Sequence, residues 1–152
     1  MHGVSELPAW RRIIDNAAYT PYWRDQALQR VFQDVPLTVP TLHVAGLFDQ
    51  EDSFGTFAVY QTMEAKDVGN DKNFLAVGPW FHGQSQRDGA TLGQMKWGAD
   101  TSLYFRRYVL KPFFDRYLKD RAPAQPIAPV TAFETGANAW RTADRWPLTG
   151  AQ

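Results

Sequence analysis

The chain of 152 residues contains no cysteine, which removes disulfides, thiolate metal sites and cysteine nucleophiles together and leaves serine chemistry open. It also lacks an excess of charge. Lys+Arg and Asp+Glu total 16 each, and bases are interspersed with acids, so no field of one sign recruits nucleic acid or an anionic membrane. No stretch approaches the ~18 apolar residues of a spanning helix. The opening Met1-His2-Gly3-Val4-Ser5-Glu6 lacks the basic start and apolar run of a signal peptide. The sequence as written is expected to be soluble, with its compartment open. Finally, there is no Gly-x-Ser-x-Gly nucleophile elbow. Gly83-Gln84-Ser85-Gln86-Arg87 fails at its last position, which leaves Ser85 a loop serine.

What is present suits an ordinary globular chain: 44% hydrophobic and 21% charged residues supply a core without signs of disorder. Residues 5–34 read as two helices, the first capped by Ser5 and the second by Thr20 with Pro21 in its first turn. Trp23, Ala27, Leu28, Val31 and Phe32 give the second an apolar face. From Pro40 the pattern becomes a continuous apolar run, Thr41 to Phe48, as in a parallel strand buried on both faces. A helix from about Ser53 to Lys66 follows, then a turn at Gly69-Asn70-Asp71 and a second strand, Phe74 to Val77. Strand, helix, strand is a βαβ unit. Its strands run parallel and leave the sheet at the same edge.

Residues 83–98, rich in Gly and Gln, read as a long loop, and loops of that length are more often functional than idle. Asp100 caps a helix from about Thr101 to Lys119. Pro112 must kink or split it, because the ring meets the carbonyl of Tyr108. Ala122 to Pro126 is a linker by composition, and Val130 to Thr135 alternates like a strand, so a new domain is expected there. The unit thus left has two parallel strands, too few to cover its own faces, with an edge open to another strand.

Strand ends are where an open α/β sheet builds its site. Asp49 stands just past the first strand and His82 just past the second. Taken singly, an Asp after a strand is usually a turn former or helix cap, and a lone His is usually structural. Together, at two neighbouring strand ends, they form the acid and base of a triad, in the chain order of α/β-hydrolases. The nucleophile would then lie before residue 1. His2, terminal and exposed, and His43, inside a strand, compete poorly with His82.

Several segments resemble one hydrolase superfamily. Pro40-Thr41-Leu42-His43-Val44-Ala45-Gly46-Leu47-Phe48-Asp49-Gln50-Glu51-Asp52 and Gly78-Pro79-Trp80-Phe81-His82-Gly83 are similar to the acid and histidine motifs of the α-amino acid ester hydrolases. These group with cocaine esterases, glutaryl-7-aminocephalosporanic acid acylases and Xaa-Pro dipeptidyl-peptidases. Ala18 to Leu28 resembles the family's last cap-domain helix, with Thr20 where an Asp is usual; Lys111 to Lys119 resembles the helix closing the hydrolase domain. Phe133 to Arg141 resembles the opening of its C-terminal jelly-roll.

The resemblance implies a partial α/β-hydrolase fold: cap-type helices over 1–36, the rear of the hydrolase domain over 37–121, and a linker with the first jelly-roll strand over 122–152. It implies that Asp49 holds His82 through Nδ1 while Nε2 takes the proton of a serine attacking an ester or amide carbonyl. Serine and oxyanion donors come from the earlier part of the family's hydrolase domain. It also implies that Glu51 and Asp52 hold a substrate α-ammonium, the alternative being that they cap the helix near Ser53. Trp80, Phe81 and Trp97 are candidate walls of an acyl pocket or, each of them, aromatic core filler. No cofactor or metal is expected, and the partners are a small ester or amide substrate and a second or complementing chain at the open sheet edge. Two other readings stay open: a non-catalytic remnant, and an Xaa-Pro peptidase or aryl esterase portion.

Overall fold

The computed structural model describes residues 3–120 and 126–149. The apolar run after Pro40 forms β1 (Thr41–Gly46), and Asn73–Gly78 forms β2, buried along its whole length. They pair in parallel, with Thr41 opposite Asn73 and Gly46 opposite Gly78. Flush pairing puts both C-terminal ends on one edge of the sheet. Between them lies a helix, Gly55–Glu64, numbered α4 after the three short helices of the N-terminal arm, α1 (Pro8–Asp15), α2 (Pro21–Arg24) and α3 (Leu28–Val31).

The sheet has four strands, not two. Val130–Glu134 (β5) pairs in parallel with the far side of β2, and Ala139–Ala143 (β6) returns antiparallel to it, giving the order β1-β2-β5-β6. The hairpin between β5 and β6 contains Gly136 at φ 90 and Asn138 at φ 49, left-handed positions that glycine and asparagine tolerate best. The segment beginning at Val130, read from sequence as the first jelly-roll strand, lies in the same sheet as β1 and β2 and closes a second β-helix-β crossover. Four of its five residues are buried. Most of the linker, residues 122–125, lies outside the described residues.

One face of the sheet buries Ala45, Leu75, Val77, Val130 and Ala132 against Tyr60 of α4. The other packs Ala76 and Trp80 against Phe105 and Val109. Those two residues belong to α5 (Thr101–Phe105) and to the π-turn Arg106–Leu110, which leads into α6 (Lys111–Leu118). The widened turn stands directly ahead of Pro112 and is the form the expected interruption takes.

The N-terminal arm differs from its reading. The second helix is two four-residue pieces, and none of α1 to α3 has a buried residue. Helices this short have no stability of their own, and without a buried face nothing lengthens them. Lys66 fastens the arm by donating to the carbonyls of Phe32 and Val35.

Alternate residues of β1 face β2, since the Thr41 amide donates to Lys72 and that of Leu47 to Gly78. Leu42 and Val44 therefore turn their peptide groups outward, where no strand pairs with them among the described residues.

Candidate active site

Two strand ends and two tight turns build the site. After Gly46, the amides of Leu47 and Phe48 donate to the carbonyls of Gly78 and Trp80, and that of Asp49 to Gly46. The chain thus bends across the mouth of β2. Asp49 Oδ1 then accepts from the amides of Glu51 (2.8 Å) and Asp52 (3.0 Å), which locks the carboxylate against its own turn. Following β2, Pro79 and Trp80 remain buried, and the chain emerges at His82 with Gly83 in the left-handed region at φ 76.

His82 Nδ1 lies 3.1 Å from Asp49 Oδ2 and 3.3 Å from Oδ1. A carboxylate only accepts, so the ring proton belongs on Nδ1 and the lone pair of Nε2 is free to accept a proton. Partial burial pushes the Asp49 carboxyl up, but the amides of Asp52 and Glu51 and the His82 ring together hold it below the usual carboxylate value. It is therefore ionised at neutral pH. The Asp49 side chain is 12% exposed and that of His82 51% exposed, so the carboxylate is enclosed and the imidazole open.

The two neighbouring carboxylates part company. Glu51 Oε2 stands 3.8 Å from His82 Nε2 on the outer side of the ring, with its side chain 63% exposed. Asp52 turns back to the start of α4, accepting from the Thr56 hydroxyl at 2.8 Å. Asp52 thus lies against the first turn of α4, whose N-cap position is Phe54 and which has no side-chain cap.

The aromatic candidates divide as well. Trp80 is 1% exposed, packs on Phe105 and Trp140, and donates its indole N–H to Thr101 at 2.9 Å. Of the two roles the sequence allowed it, this packing is that of aromatic core filler. Phe81 is half-buried beside His82. Trp97 is buried and stacked on Phe48. His43 bonds Asn73 Oδ1 through Nε2 (3.0 Å), away from the pair. Sequence reasoning passed over Gln84, a buried amide in the loop after His82. Nothing in the local sequence distinguishes it from Gln86 two residues on. A groove of about 780 Å³ runs past Leu47, Phe133, Glu134, Arg141 and Trp146 and includes neither Asp49 nor His82. Among the described residues no cluster is arranged to hold a metal ion.

Residues 3–84 match the profile of a family described as X-Pro dipeptidyl-peptidase (S15 family). No curated protein gives a significant match. Among solved structures, an alpha-amino acid ester hydrolase superposes with a TM-score of 0.90 at 43% identity, covering 95% of this chain. An aminopeptidase from a marine sediment archaeon, Thaumarchaeota archaeon, superposes with a TM-score of 0.88 at 42% identity, also over 95%. The chain spans about a quarter, 24%, of the length of each.

Proposed function

The chain belongs to the X-Pro dipeptidyl-peptidase (S15) family, and from that premise we propose that it supplies the acid and base of a serine hydrolase acting on α-amino acid esters or related β-lactam amides. The observation that carries the reading is the contact of His82 Nδ1 with both oxygens of Asp49 at the shared edge of two parallel strands. In this reading the N-terminal arm is the end of a cap, and serine and oxyanion donors come from sequence outside these residues.

The chemistry follows from the tautomer. Nε2 removes the serine proton as the oxygen attacks the carbonyl carbon, and the imidazolium then returns that proton to the departing alcohol or amine. Asp49 stays ionised throughout, holding the ring and balancing its charge. Water repeats the sequence on the acyl-enzyme to release the acid. Glu51, close to the outer nitrogen, is suited to an α-ammonium on the acyl side of the carbonyl, with Asp52 completing the negative field.

That preference does not separate amino esters from peptides with a free amino terminus, since both carry the α-ammonium next to the reacting carbonyl. The aminopeptidase at 42% identity favours the peptide as the second reading. Chromogenic amino acid esters and amino acid anilides, offered to an enzyme that also contains the nucleophile-bearing part, distinguish the two. In that enzyme His82→Ala and Asp49→Asn are each expected to lower kcat by roughly 10⁴-fold. Turnover that survives either change refutes the assignment. Replacing Glu51 by Gln and Asp52 by Asn is expected to raise KM for amino substrates selectively; unchanged KM removes the α-ammonium role.

A further inference from the structure

The loop over residues 83–98 makes contacts that bear on both members of the acid–base pair. Gln84 is 3% exposed and its side-chain amide is fully engaged. Its Oε1 accepts from the Phe81 amide at 3.2 Å, one residue before His82. Its Nε2 donates to the carbonyls of Asp88 (3.1 Å) and Thr91 (2.8 Å). The Ser102 hydroxyl donates to the Gln84 carbonyl at 2.9 Å, fixing the same residue to α5. One side chain thus joins the backbone leading into His82 to the far part of the loop.

The loop continues through a small hairpin, Thr91–Leu92 (β3) with Met95–Lys96 (β4), and the Trp97 amide closes it on the Ala90 carbonyl at 3.0 Å. Trp97 then reaches the other strand end. Its ring stacks on Phe48, the residue before Asp49, with centroids 6.2 Å apart and planes at 25°, and meets Phe133 of β5 edge-on. Its buried indole N–H has no partner among the described residues, so ring packing alone holds it.

We propose that this loop is a positioning device for the Asp49–His82 pair, with Gln84 setting the histidine end and Trp97, through Phe48, the aspartate end. Neither residue touches the reacting atoms. Each fixes backbone within one residue of a group that must hold its partner to a fraction of an ångström. The inference rests on the hydrolase reading for its purpose, but its content is the geometry of the pair, which is measurable in the 152-residue chain.

The chain has three histidines, so ¹⁵N-histidine NMR resolves His82 once the other two are assigned. ¹³C-labelled aspartate gives the Asp49 titration. In the wild type the Nδ1 proton is expected to be visible and the Asp49 midpoint to lie below the usual carboxylate range. Gln84→Leu and Trp97→Leu are each expected to lose the proton signal to exchange and move the midpoint up toward that range, while Trp97→Phe restores both. Met63→Ala, buried on α4 at the opposite face of the sheet, lowers the melting temperature and leaves both signals in place. If Trp97→Leu does not fold, Phe48→Leu tests the same stack from its exposed side.

Wild-type signals in both loop variants overturn the proposal, and a change in only one overturns the two-ended device. Activity surviving His82→Ala in the catalytically complete enzyme removes the hydrolase reading and leaves this result standing, so the two failures are distinct.

Discussion

Gly46 ends β1 where the strand lies against the turn that leads to His82. A Cβ there would meet the Trp80 carbonyl oxygen at 2.4 Å and the Asp49 Cβ at 3.4 Å. Since backbone cannot swing aside, Gly46→Ala is expected to part the strand ends and cost about 1–3 kcal/mol. Thermal denaturation should register a drop of about 2–4 °C per kcal/mol for a chain of this size. A second residue-scale prediction concerns acid. Burial pushes the Asp67 carboxyl up, but the amides of Lys72, Asn73 and Asp71 outweigh it and hold the group below its ordinary value. A depressed folded value means the stabilisation is complete above the ordinary carboxylate range and is lost as pH falls through the folded value. Melting temperature should therefore fall at acid pH more steeply in the wild type than in Asp67→Asn. Parallel slopes would count against the assignment. The meeting of Asp49 with His82 was legible from sequence because each follows an apolar strand and the two strands run side by side. Gln84 was not, because a buried glutamine looks like any loop glutamine until its three partners are known.

Asp100 begins the helical segment that follows the loop. Its Oδ1 accepts from Leu103 at 2.9 Å as a helix cap and from Gly89 at 3.0 Å across the loop. Asp100→Ala removes both, and about 1–2 kcal/mol of stability is expected to go with them. Chemical denaturation gives the number, and a loss within experimental error would mean water replaces the cap. Legibility at this scale followed the strength of the local signal. The cap at Asp100, the interruption at Pro112, β1, α4 and β2 all carry one, in turn chemistry or continuous apolarity. The arm does not: its apolar residues stand at helical spacing, yet Trp10 and Ile14 remain 41% and 54% exposed, and no packing face stabilises a long helix. Of the β5–β6 hairpin only the first strand showed, in the alternation from Val130, and its pairing with β2 across more than fifty residues leaves no trace in local pattern.

At the scale of the molecule, the sheet ends on one side with β1. Its outer row of peptide groups, at Leu42 and Val44, lies beside a groove of about 290 Å³ bordered by Leu28, His43, Val44 and Val59. β1 itself carries no lysine, proline or bulge of the kind that blunts an exposed edge, and the chain has no net charge to keep copies apart. The 152-residue chain by itself is therefore expected to self-associate through β1, with an apparent mass that rises with concentration in sedimentation velocity. A monodisperse monomer across that range contradicts this. A seam made of one row of peptide hydrogen bonds is also a place to cut. On the hydrolase reading proposed above, the two sides could be expressed apart, each fused to one of two proteins whose encounter is to be detected. Ester cleavage would then report their meeting, with little background, since on that reading neither side alone holds all three reacting groups.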